Sequence, residues 1–562
     1  MEAKVLEELG DEFRPRATNG TTGAPWSQVL IPYRDFSDGW DDWPPIFTPM
    51  YAMYHGAVGH TIEFPYNPRS SALSVAERHE RTRLNTAIAR ATILGNFEYA
   101  NANDEAILAD QIELFRRGAA GEDSRPIDDP LAIETAAKGV FPDGTAYDHS
   151  ETYAQEYPRA YVLPAGEDQR SETAASRLVE FLVDNDVEVT VAKAPVRIGG
   201  VRYEAGTYVV DMHQAKRGLA NTILDEGRDV TLDFPTMYDI SGWSLGDLWG
   251  ATVEVVETGD LQGNQLVDVS STVPTGSFPA GRRAGYAFTV DSVEGVAAVN
   301  ALAGDGLAVG RLDDGTFVVR GDAATVREVT QGAGLDVRAA SAAEVGLATP
   351  VDRLTVGLSG PADEAFALRE MGFDVVPVTS ALVDSGAVDL ADLDALYVGS
   401  SGGNPATTLN PATLTPAGRA ALTAWLADGG TVVGRGSGGA AFNAAAGLLD
   451  VTVTAARGDA NGTVAVVNTP DSPVTGDAID VSFVSSPRVF SSVGAGVRVD
   501  QELAEGEFLL SGHWIGSSAF AGQPVVVSGT AAGADVTLFG TEPLYRDHPK
   551  GMFTQVAEAL WR

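Results

Sequence analysis

"TPAGRAALTAWLADGGTVVGRGSGGAAF", Thr415 to Phe442, holds a helix, a break and a strand in close succession. Thr415 is suited to cap a helix, and Pro416 falls at the first helical position, where its missing N–H costs nothing. The apolar residues that follow recur at helical spacing as far as Gly429-Gly430, a natural stop. "TVVGRG", Thr431 to Gly436, then reads as a buried strand running into a glycine-rich turn.

The same alternation extends to either side. Upstream, "RLTVGL" (353–358) is a strand, "ADEAFALREMGF" (362–373) a helix, "DVVPV" (374–378) a strand and "LDALYVGS" (393–400) another. Downstream, "ADVTLFG" (534–540) and "GMFTQVAEALW" (551–561) supply a last strand and helix. Strands alternating with helices of these lengths predict a parallel, doubly wound sheet over 351–562. A β-rich insertion at about 451–530 interrupts it. Its core is expected to need nothing upstream of Arg353.

The rest of the chain divides by pattern. Residues 150–258 read as a small α/β unit: "RAYVLPAG" a strand, "SETAASRLVEFLVDN" a helix, "VEVTVAKA" a strand and "VRIGGVRYEAGTYVVDM" a hairpin with glycine turns. Residues 259–350 read as a β-rich linker domain of short strands, such as "GYAFTV" and "LAVGRLDDGTFVVRG", with Gly and Asp turns. In residues 1–125 an aromatic, proline-rich stretch precedes one or two helices, for which Ser74 is a possible N-cap. The fold class is therefore α/β and multi-domain.

Bulk properties exclude several functions. At 562 residues the chain is too long for one core. A net charge of -39 disfavours nucleic acid and anionic lipid as partners. Only five of the 38 basic residues are lysine, a compositional bias that also favours solubility. There is no cysteine, hence no disulfide, thiolate metal site or cysteine nucleophile. No run of about 18 apolar residues is present to span a membrane. The first residues lack the basic and apolar regions of a signal peptide, and the compartment stays open.

"GHTIEFPYNP", Gly59 to Pro68, offers either a zinc-binding His60-x-x-Glu63 pair or a single catalytic carboxylate. "AVGHTIEF" has the β-branched content of a strand. Residues three apart on a strand face opposite sides, so His60 and Glu63 do not share a metal there. The reading favours a lone Glu63.

These residues resemble a known family. "IPYRDFSDGWDDW", Ile31 to Trp43, followed by "YHGAVGHTIEFP", is similar to the C-terminal half of the catalytic domain of carboxypeptidase A-like zinc carboxypeptidases. The resemblance covers roughly the first 255 residues. It implies Tyr33 as the substrate-capping tyrosine and Glu63 as general base, with a zinc-activated water attacking a peptide substrate. It also implies an exported, extracellular protein. The family takes its zinc ligands upstream of the capping tyrosine, and this chain has no histidine before His55. The resemblance thus implies that the chain begins inside the domain, with zinc a cofactor of the intact form and no metal ligands here. His55, His60 and His79 are the nearby histidines.

The C-terminal region, Arg353 to Arg562, resembles the class I glutamine amidotransferase-like fold. There a cysteine nucleophile sits on a tight strand-to-helix turn, with a histidine and a glutamate near the last strand. In this chain the turn is "TVVGRGSGGAAF". Ser437 lies in a G-x-S-x-G-like run with Arg435 in place of the first glycine, and Glu542 and His548 are its available partners. A bulky Arg435 is expected to disturb the turn.

Three functions follow: the C-terminal portion of a zinc metallocarboxypeptidase, inactive as it stands; a non-catalytic binding or scaffold protein built on the amidotransferase-like domain; or a serine hydrolase using Ser437 and His548. Under the first, the chain dialysed against zinc is expected to retain none and to release no C-terminal residue from peptides. One tightly bound zinc per chain by mass spectrometry, with turnover abolished by Glu63→Gln, would contradict that reading.

Overall fold

The computed structural model describes residues 47–59, 64, 66–122, 157–232, 244–259, 261, 265–272, 276–399 and 408–562. The chain forms two compact units. One comprises Met1–Tyr157, Met212–Leu219 and Asp233–Pro235, and the other the remainder. Among the described residues no helix is long and apolar enough to cross a membrane.

The first unit contains α1 (Thr48–Tyr54), α2 (Val75–Ala102) and α3 (Asp104–Ala120). Ser74 caps α2 in a reciprocal box. The Glu77 N–H donates to its hydroxyl, and its own N–H donates to the Glu77 carboxylate at 2.8 Å. Two otherwise orphaned donors are satisfied in this way, so the helix starts where the sequence predicts. Gly121 ends α3 in the left-handed region at φ 66°. A Cβ there would lie 2.3 Å from His213 Nε2, so both backbone and space select glycine.

The second unit is built in three layers. The first holds β1 (Ala160–Leu163), α4 (Glu172–Asp184), β2 (Thr190–Ala192), the hairpin β3 (Val196–Ile198) and β4 (Val201–Tyr203), β5 (Tyr208–Asp211), β6 (Glu254–Val256) and β7 (Leu266–Asp268). Its sheet runs β6-β1-β5-β2-β7, antiparallel throughout. The sequence reading ends this unit at 258, but its sheet takes the edge strand β7 from Leu266–Asp268, beyond that boundary.

The next layer differs from its β-rich reading. β8 (Gly285–Phe288), α5 (Val293–Gly304), β9 (Ala308–Arg311), β10 (Phe317–Arg320), α6 (Ala323–Gly332) and β11 (Arg338–Ala340) form a βαββαβ unit. With β12 (Thr349–Pro350) the sheet order is β11-β8-β10-β9-β12. The helix α5 escapes a periodicity argument for a physical reason. Val293 and Val296 face one core while Ala298, Val299 and Leu302 face another. A helix buried on both sides has no polar stripe to reveal its period.

The C-terminal layer follows the predicted alternation: β13 (Thr355–Ser359), α7 (Ala362–Glu370), β14 (Asp374–Pro377), β15 (Ala395–Val398), α8 (Pro416–Ala427), β16 (Thr431–Arg435), α9 (Gly436–Ala446), β24 (Ala534–Phe539) and α10 (Phe553–Leu560). Thr415 caps α8 by accepting from the Gly418 N–H at 3.2 Å, with Pro416 at its first position. The parallel strands are ordered β14-β13-β15-β16-β24, a 2-1-3-4-5 winding whose order reverses between β13 and β15. The insertion contributes β17 (Val451–Ala455), β18 (Asn461–Asn468), β19 (Val481–Ser485), β20 (Arg488–Val493), β21 (Arg498–Leu503), β22 (Leu509–His513) and β23 (Pro524–Ala531). β23 pairs antiparallel with β24 and carries the sheet on through β21, β18 and β19.

These layers are interlocked. Val293 and Val296 of α5 share a core with Val356, Leu358, Phe373, Tyr397, Phe553 and Leu560. Asn300 donates from Nδ2 to the Met371 carbonyl at 2.8 Å, and Trp561 stands edge-on to Phe317 at 5.3 Å. The expectation that residues from Arg353 onward need nothing upstream is therefore corrected. Each large apolar side chain stripped of its cover forfeits about 1.5–3 kcal/mol. A segment from 276 to 562 is expected to unfold cooperatively by circular dichroism, and one from 353 to 562 at a lower temperature or without a transition. Equal melting of the two would show that α5 adds nothing to this core.

Candidate functional site

In an open parallel sheet, ligands and catalytic groups gather beyond the carboxyl ends of the strands. Here those ends are Ser359, Val398, Arg435 and Phe539 of β13, β15, β16 and β24. The sharpest feature among them is the passage from β16 into α9. Arg435 closes the strand in ordinary extended backbone, φ -121° and ψ 135°. Gly436 then turns the chain at φ 56°, the left-handed region that favours glycine. The turn is tight enough that a Cβ on Gly439 would lie 2.3 Å from the Gly434 carbonyl carbon.

This corrects the expected register of the turn. Its apex is Gly436, within Gly434-Arg435-Gly436-Ser437-Gly438, and not Ser437. Ser437 is the next residue, exposed in the first turn of α9. Arg435 does not disturb the turn, because the left-handed conformation falls on the residue after it. His548 is buried, and its ring stands edge-on to Phe483 at 5.4 Å. Its carbonyl accepts from Trp249 Nε1 at 3.0 Å. Glu542 is taken up by Arg435.

The Arg435 side chain turns inward between two carboxylates. Its Nε donates to Glu364 Oε1 at 2.7 Å, Nη2 donates to the same oxygen, and Nη1 donates to Glu542 Oε2. Glu364 sits in the first turn of α7, and Glu542 follows β24. The side chains of all three are at most 7% exposed. Glu364 Oε2 lies so close to the chain that a Cβ on Gly360 or Gly399 would stand 2.3 or 1.8 Å from it. Tyr397 of β15 is buried beside this group.

The electrostatics follow from burial and from count. Two carboxylates around one guanidinium leave one negative charge in excess. Burial pushes the Glu364 carboxyl up to about 7 against the opposing pull of Arg435. Burial likewise raises Glu542, and burial next to Glu364 raises the Tyr397 phenol well above its ordinary value. Burial alone would lower Arg435, but Glu542 and Glu364 outweigh it and keep the guanidinium charged. The cluster ties α7, β16 and the segment after β24 together through one guanidinium, and Glu364 Oε2 stays buried without a hydrogen-bond partner among the described residues.

Of the other expected site residues, Tyr33, His60 and Glu63 lie outside the described residues. His55 meets Lys216, Nδ1 to Nζ, at 2.8 Å, and His79 is exposed on α2. Among the described residues no group of three or more His, Asp or Glu is placed to hold a metal ion.

No family model matches the chain, and no curated protein matches it. Solved structures similar to it include a candidate GMP synthase component from Thermoplasma acidophilum, 15% identical over 37% of this chain and 94% of that one, with a TM-score of 0.26. A ThuA-like protein from Bacteroides uniformis is 14% identical over 37% and 90%, with a TM-score of 0.24. A glutamine amidotransferase is 16% identical over 37% and 98%, with a TM-score of 0.25.

The charge cluster has a measurable pH signature. The folded Glu364 carboxyl holds its proton up to about pH 7, whereas in the unfolded chain it ionises in the ordinary carboxylate range. Its contribution to stability is full below the unfolded value and is lost as pH rises through about 7. The melting temperature is therefore expected to rise from pH 8 to pH 5.5, and Glu364→Gln is expected to flatten part of that slope. Glu558, raised to about 7, and Asp247, raised to about 6, both by burial, act in the same direction and remain in the variant. An unchanged slope in Glu364→Gln would remove Glu364 from the account.

Proposed function

We propose that this chain is a non-catalytic binding or assembly protein built on an amidotransferase-like domain. The observation that carries the reading is Gly436 at the left-handed apex of the strand-to-helix turn. Nucleophilic catalysis on such a turn needs a hydroxyl or thiol at the apex, held beside a base. Glycine supplies neither. The position next to it is filled by Arg435, whose charge is spent on Glu364 and Glu542. A permanently charged guanidinium offers no general base.

The turn then has an architectural role. It delivers Arg435 to the interior and lets α9 leave the sheet at a close angle, with Gly434 and Gly439 in contact. The peptidase resemblance of roughly the first 255 residues carries no part of this reading, and the Ser437–His548 hydrolase has no apex residue to start from.

The test is chemical. Incubated with a fluorophosphonate probe and examined by intact mass, the chain is expected to remain unmodified, and to release no ammonia from glutamine. Stoichiometric adduct at Ser437, or turnover lost in Ser437→Ala, would replace this reading with a hydrolase.

A further inference from the structure

We propose that residues 545–550, which follow β24 at the carboxyl end of the parallel sheet, form a strap that a single proton latches. The proton lies between the carboxyl groups of Asp547 and Glu370, and its loss loosens the strap. The backbone here is strained. Arg546 and Asp547 stand in succession at φ 49° and 61°, the left-handed region that residues with side chains rarely enter. Such backbone persists only where its surroundings hold it. The Arg546 N–H donates to Asp363 Oδ2 of α7 at 3.0 Å, and Trp249 Nε1 donates to the His548 carbonyl at 3.0 Å. The Tyr545 ring leans on Phe483, with centroids 5.3 Å apart.

The fastening at Asp547 is incomplete without a proton. Lys550 Nζ donates to Asp547 Oδ2 at 2.8 Å and to both oxygens of Glu370, on α7, at 2.9 and 2.7 Å. That uses all three donors of the ammonium. Asp547 Oδ1 is buried with no donor among the described residues, and the Asp547 and Glu370 carboxyls lie against each other. Two ionised carboxylates repel at such a contact, and neither has a hydrogen to donate. One proton turns the contact into a hydrogen bond.

The charges around the pair agree with this count. Arg177 of α4 stands 3.8 Å from Glu370, and its Nε donates to Glu294 Oε1 of α5 at 2.7 Å. Arg177 and Lys550 against Glu294, Glu370 and Asp547 leave one negative charge over, which one proton cancels. Burial, and then the contact with Glu370, push the Asp547 carboxyl up to about 6. Burial alone would raise Glu370 too, but Lys550 and the hydrogen bond from Asp547 hold it below its ordinary value. Asp547 therefore carries the proton and donates it to Glu370. A carboxyl raised in the closed state favours that state below its ordinary pKa, and ceases to do so as the pH rises through about 6. None of this depends on whether the turn after β16 is catalytic.

Hydrogen exchange of the full chain, read by mass spectrometry on peptides covering 545–552 and scaled to the intrinsic rate at each pH, tests the latch. Protection of the strap is expected to fall by about tenfold or more from pH 5 to pH 7.5. In Asp547→Asn the side-chain amide donates at every pH and tolerates left-handed backbone, so a tenfold part of that fall is expected to disappear. In Glu370→Gln the amide donates to an ionised Asp547, with the same expected result. Glu364, Glu558 and Asp247 titrate in the same range but remain in both variants, so the difference from wild type isolates the pair. A level profile in the wild-type chain, a strap unprotected at both pH values, or a fall in the variants equal to that of wild type would overturn the proposal. Glu370→Gln decides the matter should Asp547→Asn fail to fold.

Discussion

Arg435 brings a permanent charge into the interior at the end of β16, and the surrounding structure is arranged to accommodate it. A guanidinium buried without partners is untenable. Glu364 comes to it from the first turn of α7, and Glu542 from the segment after β24. Gly360 and Gly399 keep their backbones clear of the Glu364 carboxylate. Gly436 then bears the left-handed turn, which leaves Arg435 free to keep ordinary strand geometry. A residue with a side chain at 436 would face strain that this glycine avoids. Gly360 and Gly399 are thus explained by the space the buried Glu364 needs, and Gly436 by its backbone conformation.

The cluster also explains how the sheet ends stay together. The parallel strands are joined by long connections, and α9 together with the insertion separates β16 from β24. One guanidinium joins both sides of that gap. Buried ion pairs of this kind give less net stability than their contacts suggest, because desolvation opposes them. What they penalise strongly is mispairing, since a shifted strand would leave a charge unpaired. The apolar side of the same task falls to α5, which lies between two cores and ties the βαββαβ layer to the C-terminal sheet.

Local chemistry makes part of this legible in the sequence. Thr415-Pro416 and Ser74 mark helix starts through hydrogen bonds made within a few residues, and both caps are present. The alternation from Arg353 onward also stands, since each strand and helix there announces itself over its own length. The helices α5 and α6 are hidden among short strands, α5 because it is apolar on nearly every side. The turn after β16 reads one residue late in the sequence, because a motif of residue types does not say which glycine takes the positive φ. The partners of Arg435 lie 71 and 107 residues away in sequence, and no local pattern points to them. The only trace is an arginine closing an otherwise apolar strand.

At the strand ends Arg435 and Glu364 depend on each other for their burial. A double-mutant cycle between Arg435 and Glu364, using Arg435→Met and Glu364→Gln and read by denaturant unfolding, measures that dependence directly. Arg435→Met alone should cost about 3–5 kcal/mol, since it strands two buried carboxylates. The double variant should cost clearly less than the sum of the single ones, with a coupling of about 1–3 kcal/mol. Additive costs would mean that Arg435 and Glu364 do not depend on each other, and the account of this site as a self-contained ion cluster would be wrong.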